Sequence, residues 1–155
     1  MGKRMERLLK FYINGEWVVP QSTETMPVLN PASADQVAEV ALGNEADVDV
    51  AVAAAKAAFE QFSQTSKSER LALLRRIRLV SERRFEELAQ AMRLEMGAPI
   101  TMAREAQADA AIGHLDGFIQ ALEKLEEQER FDNGEVVLKE PIGVCGLITP
   151  WNWPI

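Results

Sequence analysis

Apolar and polar residues alternate along the first part of the chain, repeat at helical spacing through its middle, and merge into one continuous apolar run near its end. From Phe11 to Val18, aromatic and β-branched residues flank Asn14-Gly15, a pair able to adopt the positive φ angles of a tight turn. That pattern predicts a β-hairpin. Met26-Pro27-Val28-Leu29 predicts a further extended stretch entering an Asn30-Pro31 turn, after which Val37-Ala38-Glu39-Val40 alternates again.

The period then changes. Val48, Val52, Ala55, Phe59 and Phe62 fall on one helical face, with Asn44 placed as N-cap and Asp47 supplying negative charge to the first turn. A second helix is predicted from Ser66, where Ser66 and Glu69 have the spacing of a capping box. Its stripe is Leu73, Leu74, Ile77, Val80, Phe85, Leu88 and Met92, and Gly97 followed by Pro99 should end it. A third helix is expected from about Thr101 to Lys124, burying Ala111, Leu115, Phe118, Leu122 and Leu125.

Asp132-Asn133-Gly134 marks a turn, and Val136 to Leu138 reads as a strand with no obvious partner in the chain. Val144 to Thr149 has the unbroken apolar character of a strand buried on both faces, as in a parallel sheet. The order of a β-rich start, three helices and then strands points to the α/β class. Parallel neighbours need crossover connections, so a sheet built on that last strand would be incomplete here.

Composition narrows the function. The 155 residues include 17 Lys and Arg against 24 Asp and Glu, a formal net charge of -7. That balance argues against nucleic acid or an anionic membrane surface as partner. The one basic cluster, Lys3, Arg4, Arg7 and Lys10, reads as part of a flexible tail over residues 1–10. Cys145 is the single cysteine, which excludes an internal disulfide and a thiolate zinc cluster. No apolar run reaches the length of a membrane span, so a cytoplasmic location is expected.

Five segments then converge on one family. Ile148-Thr149-Pro150-Trp151-Asn152-Trp153-Pro154 resembles the Pro-Trp-Asn-aromatic-Pro motif of the aldehyde dehydrogenase superfamily, and Glu140-Pro141-Ile142-Gly143-Val144 resembles the stretch leading into it. Phe11 to Trp17 is similar to the family's opening hairpin, Asn30-Pro31-Ala32 to its second turn, and Leu94 to Pro99 to a helix-ending segment. The matches occur in the family's order from residue 11 to residue 155.

The resemblance implies that residues 11–155 form the N-terminal, cofactor-binding part of the aldehyde dehydrogenase fold, incomplete and ending among the first strands of a Rossmann-like parallel sheet. It implies NAD or NADP as cofactor, a small-molecule aldehyde as substrate and a homo-oligomeric assembly. In the family's reaction a cysteine thiolate attacks the aldehyde, hydride passes to the nicotinamide, and water activated by a glutamate hydrolyses the thioester. Asn152 matches the asparagine whose N–H stabilises the oxyanion. Ile148, Thr149, Pro150, Trp151 and Asn152 match the wall beside the nicotinamide and its ribose.

The family's glycine-rich cofactor loop, nucleophile and base match nothing in this sequence. Cys145, set inside the apolar run, is expected to be a buried and inert thiol rather than the nucleophile. His114 has no second ligand at metal spacing and reads as incidental. The run Glu123, Glu126, Glu127 and Glu129 reads as a solvated helix end, Ser66 and Ser68 as capping residues, and Glu95 is assigned no chemistry. No metal site is expected. Three readings of function stand: part of an aldehyde dehydrogenase, inactive alone; a non-enzymatic interaction module; or a small independent enzyme, for which nucleophile, base and phosphate loop are all missing.

Overall fold

The structure, a computed structural model, describes residues 6–155. Strands β1 (Phe11–Ile13) and β2 (Glu16–Val18) pair antiparallel, Tyr12 opposite Trp17. Asn14 and Gly15 make the turn at φ 52° and 83°, as the Asn-Gly pair predicts. Of the expected tail, residues 1–5 lie outside the described residues. Residues 6–8 form a helical turn, and the Arg7 guanidinium lies 5.4 Å over the Trp17 ring.

Strands β3 (Thr25–Leu29) and β4 (Gln36–Ala41) form a second antiparallel hairpin around the Asn30-Pro31 turn. Within that turn the Asn30 carboxamide oxygen accepts from the Ala32 N–H at 2.9 Å.

Helix α1 (Glu45–Phe62) opens with the predicted Asn44 cap, which with Asp47 forms a reciprocal capping box. Asp47 does more than charge the first turn. Its buried carboxylate also accepts the backbone N–H groups of Gln21 at 2.7 Å and Ser22 at 3.2 Å, tying the segment after the first hairpin to the helix. The Gln21 bond, with that from Asn44, holds the Asp47 carboxyl below its usual range.

Helix α2 (Lys67–Arg83) carries the predicted Ser66–Glu69 capping box, but the expected single helix breaks at Arg84, and α3 (Phe85–Met96) follows. The reason is a phase shift in the stripe. Five residues separate Val80 from Phe85, a rotation of roughly 500°, so the second half points about 140° away from the first. Each half therefore packs against a different neighbour.

Gly97 ends α3 in the left-handed conformation at φ 70°, where a Cβ would meet the Pro31 ring at 2.6 Å. The predicted third helix begins as a short turn, α4 (Ile100–Met102), and passes through a π-helical stretch (Ala103–Ala108) before α5 (Asp109–Lys124). The core lies between α3 and the π-helical stretch. Ala89, Met92, Ala98, Ala103 and Ala108 are buried there, with Phe85, Leu88, Met96 and Ile100 against them. The alanines allow the two backbones to approach closely.

On α5, Ala111 and Ile119 are the buried positions, while Phe118, expected on the stripe, is 66% exposed. Helices α2 and α5 are joined by Arg78–Asp116 at 2.5 Å and Arg75–Glu123 at 2.6 Å, and Arg70 pairs with Glu127 just beyond the end of α5. The acidic run is thus partly a set of ion-pair partners rather than only a solvated helix end. The Arg78 guanidinium is held more firmly protonated by Asp116.

Val136–Leu138 has a partner after all: it is β6, antiparallel to β5 (Gln128–Arg130). Gln-Glu-Arg has no apolar pattern and gives no strand signal in the sequence. The expected strand at Val144–Thr149 does not form, and the segment is irregular. The strands among the described residues form three two-stranded antiparallel hairpins, and none of them lies alongside this segment as a parallel neighbour. Cys145 is consequently exposed, not buried. No helix among the described residues is long and apolar enough to cross a membrane.

Candidate active site

The residues expected to form the site, Ile148, Thr149, Pro150, Trp151 and Asn152, lie in the irregular C-terminal segment, with a bend at residues 151–153. Ile148 is 99% exposed and Trp151 81%. The structure therefore places the five residues consecutively on an uncovered apolar surface. None of them lines a described cavity. The apolar groove of about 410 Å³ is bordered by Phe62, Leu73, Leu74 and Phe118.

What fixes the bend comes from a residue that the sequence does not announce. Gln107 sits in the π-helical stretch, 1% exposed, and its Nε2 donates to the Asn152 backbone carbonyl at 2.7 Å. The same nitrogen lies 3.8 Å from the Met96 Sδ. Helical spacing alone hides this residue, because Gln107 reads as one more polar position among alanines. The usable signal is that it lies between Ala103 and Ala108 on a face of small residues.

Chemically, the segment offers one side-chain amide at Asn152, a hydroxyl at Thr149 and two large apolar surfaces at Ile148 and Trp151. The exposed Cys145 thiol lies 3.7 Å from the carbonyl of Gly143, two residues before it. His114 is exposed on α5. Among the described residues no group of three or more His, Cys, Asp or Glu is arranged to hold a metal.

Residues 17–155 match the model of the aldehyde dehydrogenase family. The chain belongs to the aldehyde dehydrogenase family. Among curated relatives, it is 44% identical over 147 residues to 3-succinoylsemialdehyde-pyridine dehydrogenase from a Pseudomonas species. That alignment covers 94% of this chain and 31% of the relative, so the chain spans about a third of the length of the curated relatives it matches.

Among solved structures, aldehyde dehydrogenase C from Pseudomonas syringae, a mutant complexed with NAD+ and octanal, overlays with a TM-score of 0.92 at 46% identity. The overlay covers 96% of this chain and 30% of that one. Betaine aldehyde dehydrogenase from Staphylococcus aureus, in complex with NAD+, overlays at 0.86 with 29% identity, covering 98% of this chain and 32% of that one. The mixed helix and strand architecture is a partial aldehyde dehydrogenase fold.

The residues present fit one end of a nicotinamide cofactor. The uncovered faces of Ile148 and Trp151 suit a flat ring, and the Thr149 hydroxyl suits a ribose edge. A pyrophosphate needs a glycine-rich turn entering a helix N-terminus. Gly143 and Gly146 lie in the irregular segment and lead into no helix among the described residues.

Proposed function

We propose that this chain is the N-terminal, cofactor-binding portion of a cytoplasmic NAD- or NADP-dependent aldehyde dehydrogenase that oxidises an aldehyde to a carboxylic acid. The reaction runs through a cysteine thiohemiacetal and thioester whose nucleophile and base these residues do not supply. The observation that carries this reading is the Pro150-Trp151-Asn152 bend, held at 2.7 Å to a helical layer with the fold of that family. A bound nicotinamide supplies the two-electron oxidant. Ile148, Thr149, Pro150 and Trp151 hold its ring and ribose and exclude water from that face. Asn152 donates its side-chain N–H to the aldehyde oxygen as negative charge develops there.

On this reading the 155-residue chain oxidises no aldehyde by itself. Incubated with short and aromatic aldehydes and either cofactor, it should give no rise in reduced-nicotinamide absorbance. Turnover that scales with the amount of this chain would show the active site to be misplaced.

The assembly is a homo-oligomer on the same reading. Phe118, Leu147, Ile148 and Trp151 leave large apolar surfaces uncovered in the isolated chain, and burying such surfaces drives association. Light scattering should find self-association that rises with concentration, together with binding of an apolar dye. A strictly monomeric, dye-silent species at high concentration would contradict it.

A further inference from the structure

We propose that Gln107 is a positioning residue for Asn152: from the π-helical stretch its buried amide holds the Asn152 carbonyl and so sets the orientation of the Asn152 side chain. The inference rests on the reading of Asn152 as the oxyanion donor and adds the group that aims it. Gln107 is 1% exposed, and its Nε2 donates to the Asn152 carbonyl at 2.7 Å across 45 residues of sequence. Fixing that carbonyl fixes the peptide plane after Asn152, and side-chain rotamers depend on the backbone angles of their own residue.

Two further observations separate this role from packing. The Gln107 Oε1 is buried with no hydrogen-bond partner among the described residues. A buried acceptor left unpaired opposes stability, so an apolar side chain of the same length would serve the core better. The π-helical geometry points the same way. Its hydrogen bonds reach one residue further than those of an α-helix, which brings Ala103 and Ala108 onto one line with Gln107 beside it. All three are buried, and such stretches occur frequently at functional sites.

The clamp is testable in the chain itself. In the 15N-labelled protein the Gln107 side-chain amide protons should exchange slowly with solvent. In a Trp17→Phe, Trp151→Phe background, Gln107→Met should raise acrylamide quenching of Trp153, which is 42% exposed in the clamped bend, and keep or raise the melting temperature. Unchanged quenching with the helices intact would overturn the clamp.

Its purpose is read in a catalytically complete aldehyde dehydrogenase carrying these residues. There Gln107→Met should lower kcat roughly ten- to a hundredfold with little change in KM, the scale of a misplaced catalytic group. It should cost nothing further on an Asn152→Ala background. Gln107→Glu should recover activity as pH falls, because only a protonated carboxyl can donate to the Asn152 carbonyl. Additive losses, or a Gln107→Met enzyme with unaltered kcat, would overturn the positioning role. An Asn152→Ala enzyme with full kcat would instead remove the oxyanion reading while the quenching result still reports on the clamp.

Discussion

Replacing Asn152 with alanine in the catalytically complete enzyme should lower kcat by about 10²–10³, the usual cost of one oxyanion donor. The effect is specific to the transition state. A ground-state aldehyde oxygen carries little charge and gains little from the Asn152 N–H, so KM should move far less than kcat. Asn152→Asp should be at least as damaging, because a carboxylate opposes the negative charge that the amide stabilises. The competing role is that of a plain turn residue at the 151–153 bend. On that role alanine would lower the melting temperature modestly and leave kcat intact. Measuring both quantities on one preparation decides between them, and wild-type kcat in the alanine variant removes the catalytic role.

Gly97→Ala should be strongly destabilising. Gly97 has φ 70°, and a Cβ there would meet the Pro31 Cγ at 2.6 Å. The left-handed backbone alone costs a non-glycine residue roughly 1–2 kcal/mol. Pressing a methyl group into a rigid ring adds about 1–3 kcal/mol, because neither the pyrrolidine nor the helix end can rotate away. For a domain of this size the sum corresponds to a fall of roughly 5–15 °C in melting temperature. Gly15→Ala is the internal control: Gly15 has φ 83° but nothing within 4 Å of the added atom, so it carries only the backbone cost. Equal melting temperatures for the two variants would show that the contact with Pro31 does not matter.

Gly97 also shows why the sequence is informative at its turns and caps. Asn30-Pro31-Ala32 and Leu94 to Pro99 are recognisable separately as family-like segments, and in the fold the first lays its proline against the glycine of the second. The Asn14-Gly15 hairpin and the caps at Asn44 and Ser66 were equally legible, because each depends on residues close together in sequence. What was not legible depended on partners far away. The apolar run Val144 to Thr149 has strand composition, but composition does not supply a neighbouring strand, and the Cys145 thiol is left exposed as a result. The strand Gln128–Arg130 is set by its pairing with Val136–Leu138 and has no pattern of its own. Arg84 was readable in principle, since the five-residue step from Val80 to Phe85 breaks the stripe. Gln107 was not, because its role lies in a bond to residue 152.

The pairing of the strands bears on how the chain reaches this fold. The six strands among the described residues are matched in sequential pairs, in three separate hairpins. Each closes a short loop, for which the entropic cost is small and formation is fast. None of that pairing waits on residues beyond Leu138. A ribosome delivering the chain from its N-terminus can therefore release two hairpins, then the helices, then the third hairpin, with no strand among the described residues held unpaired for a distant mate.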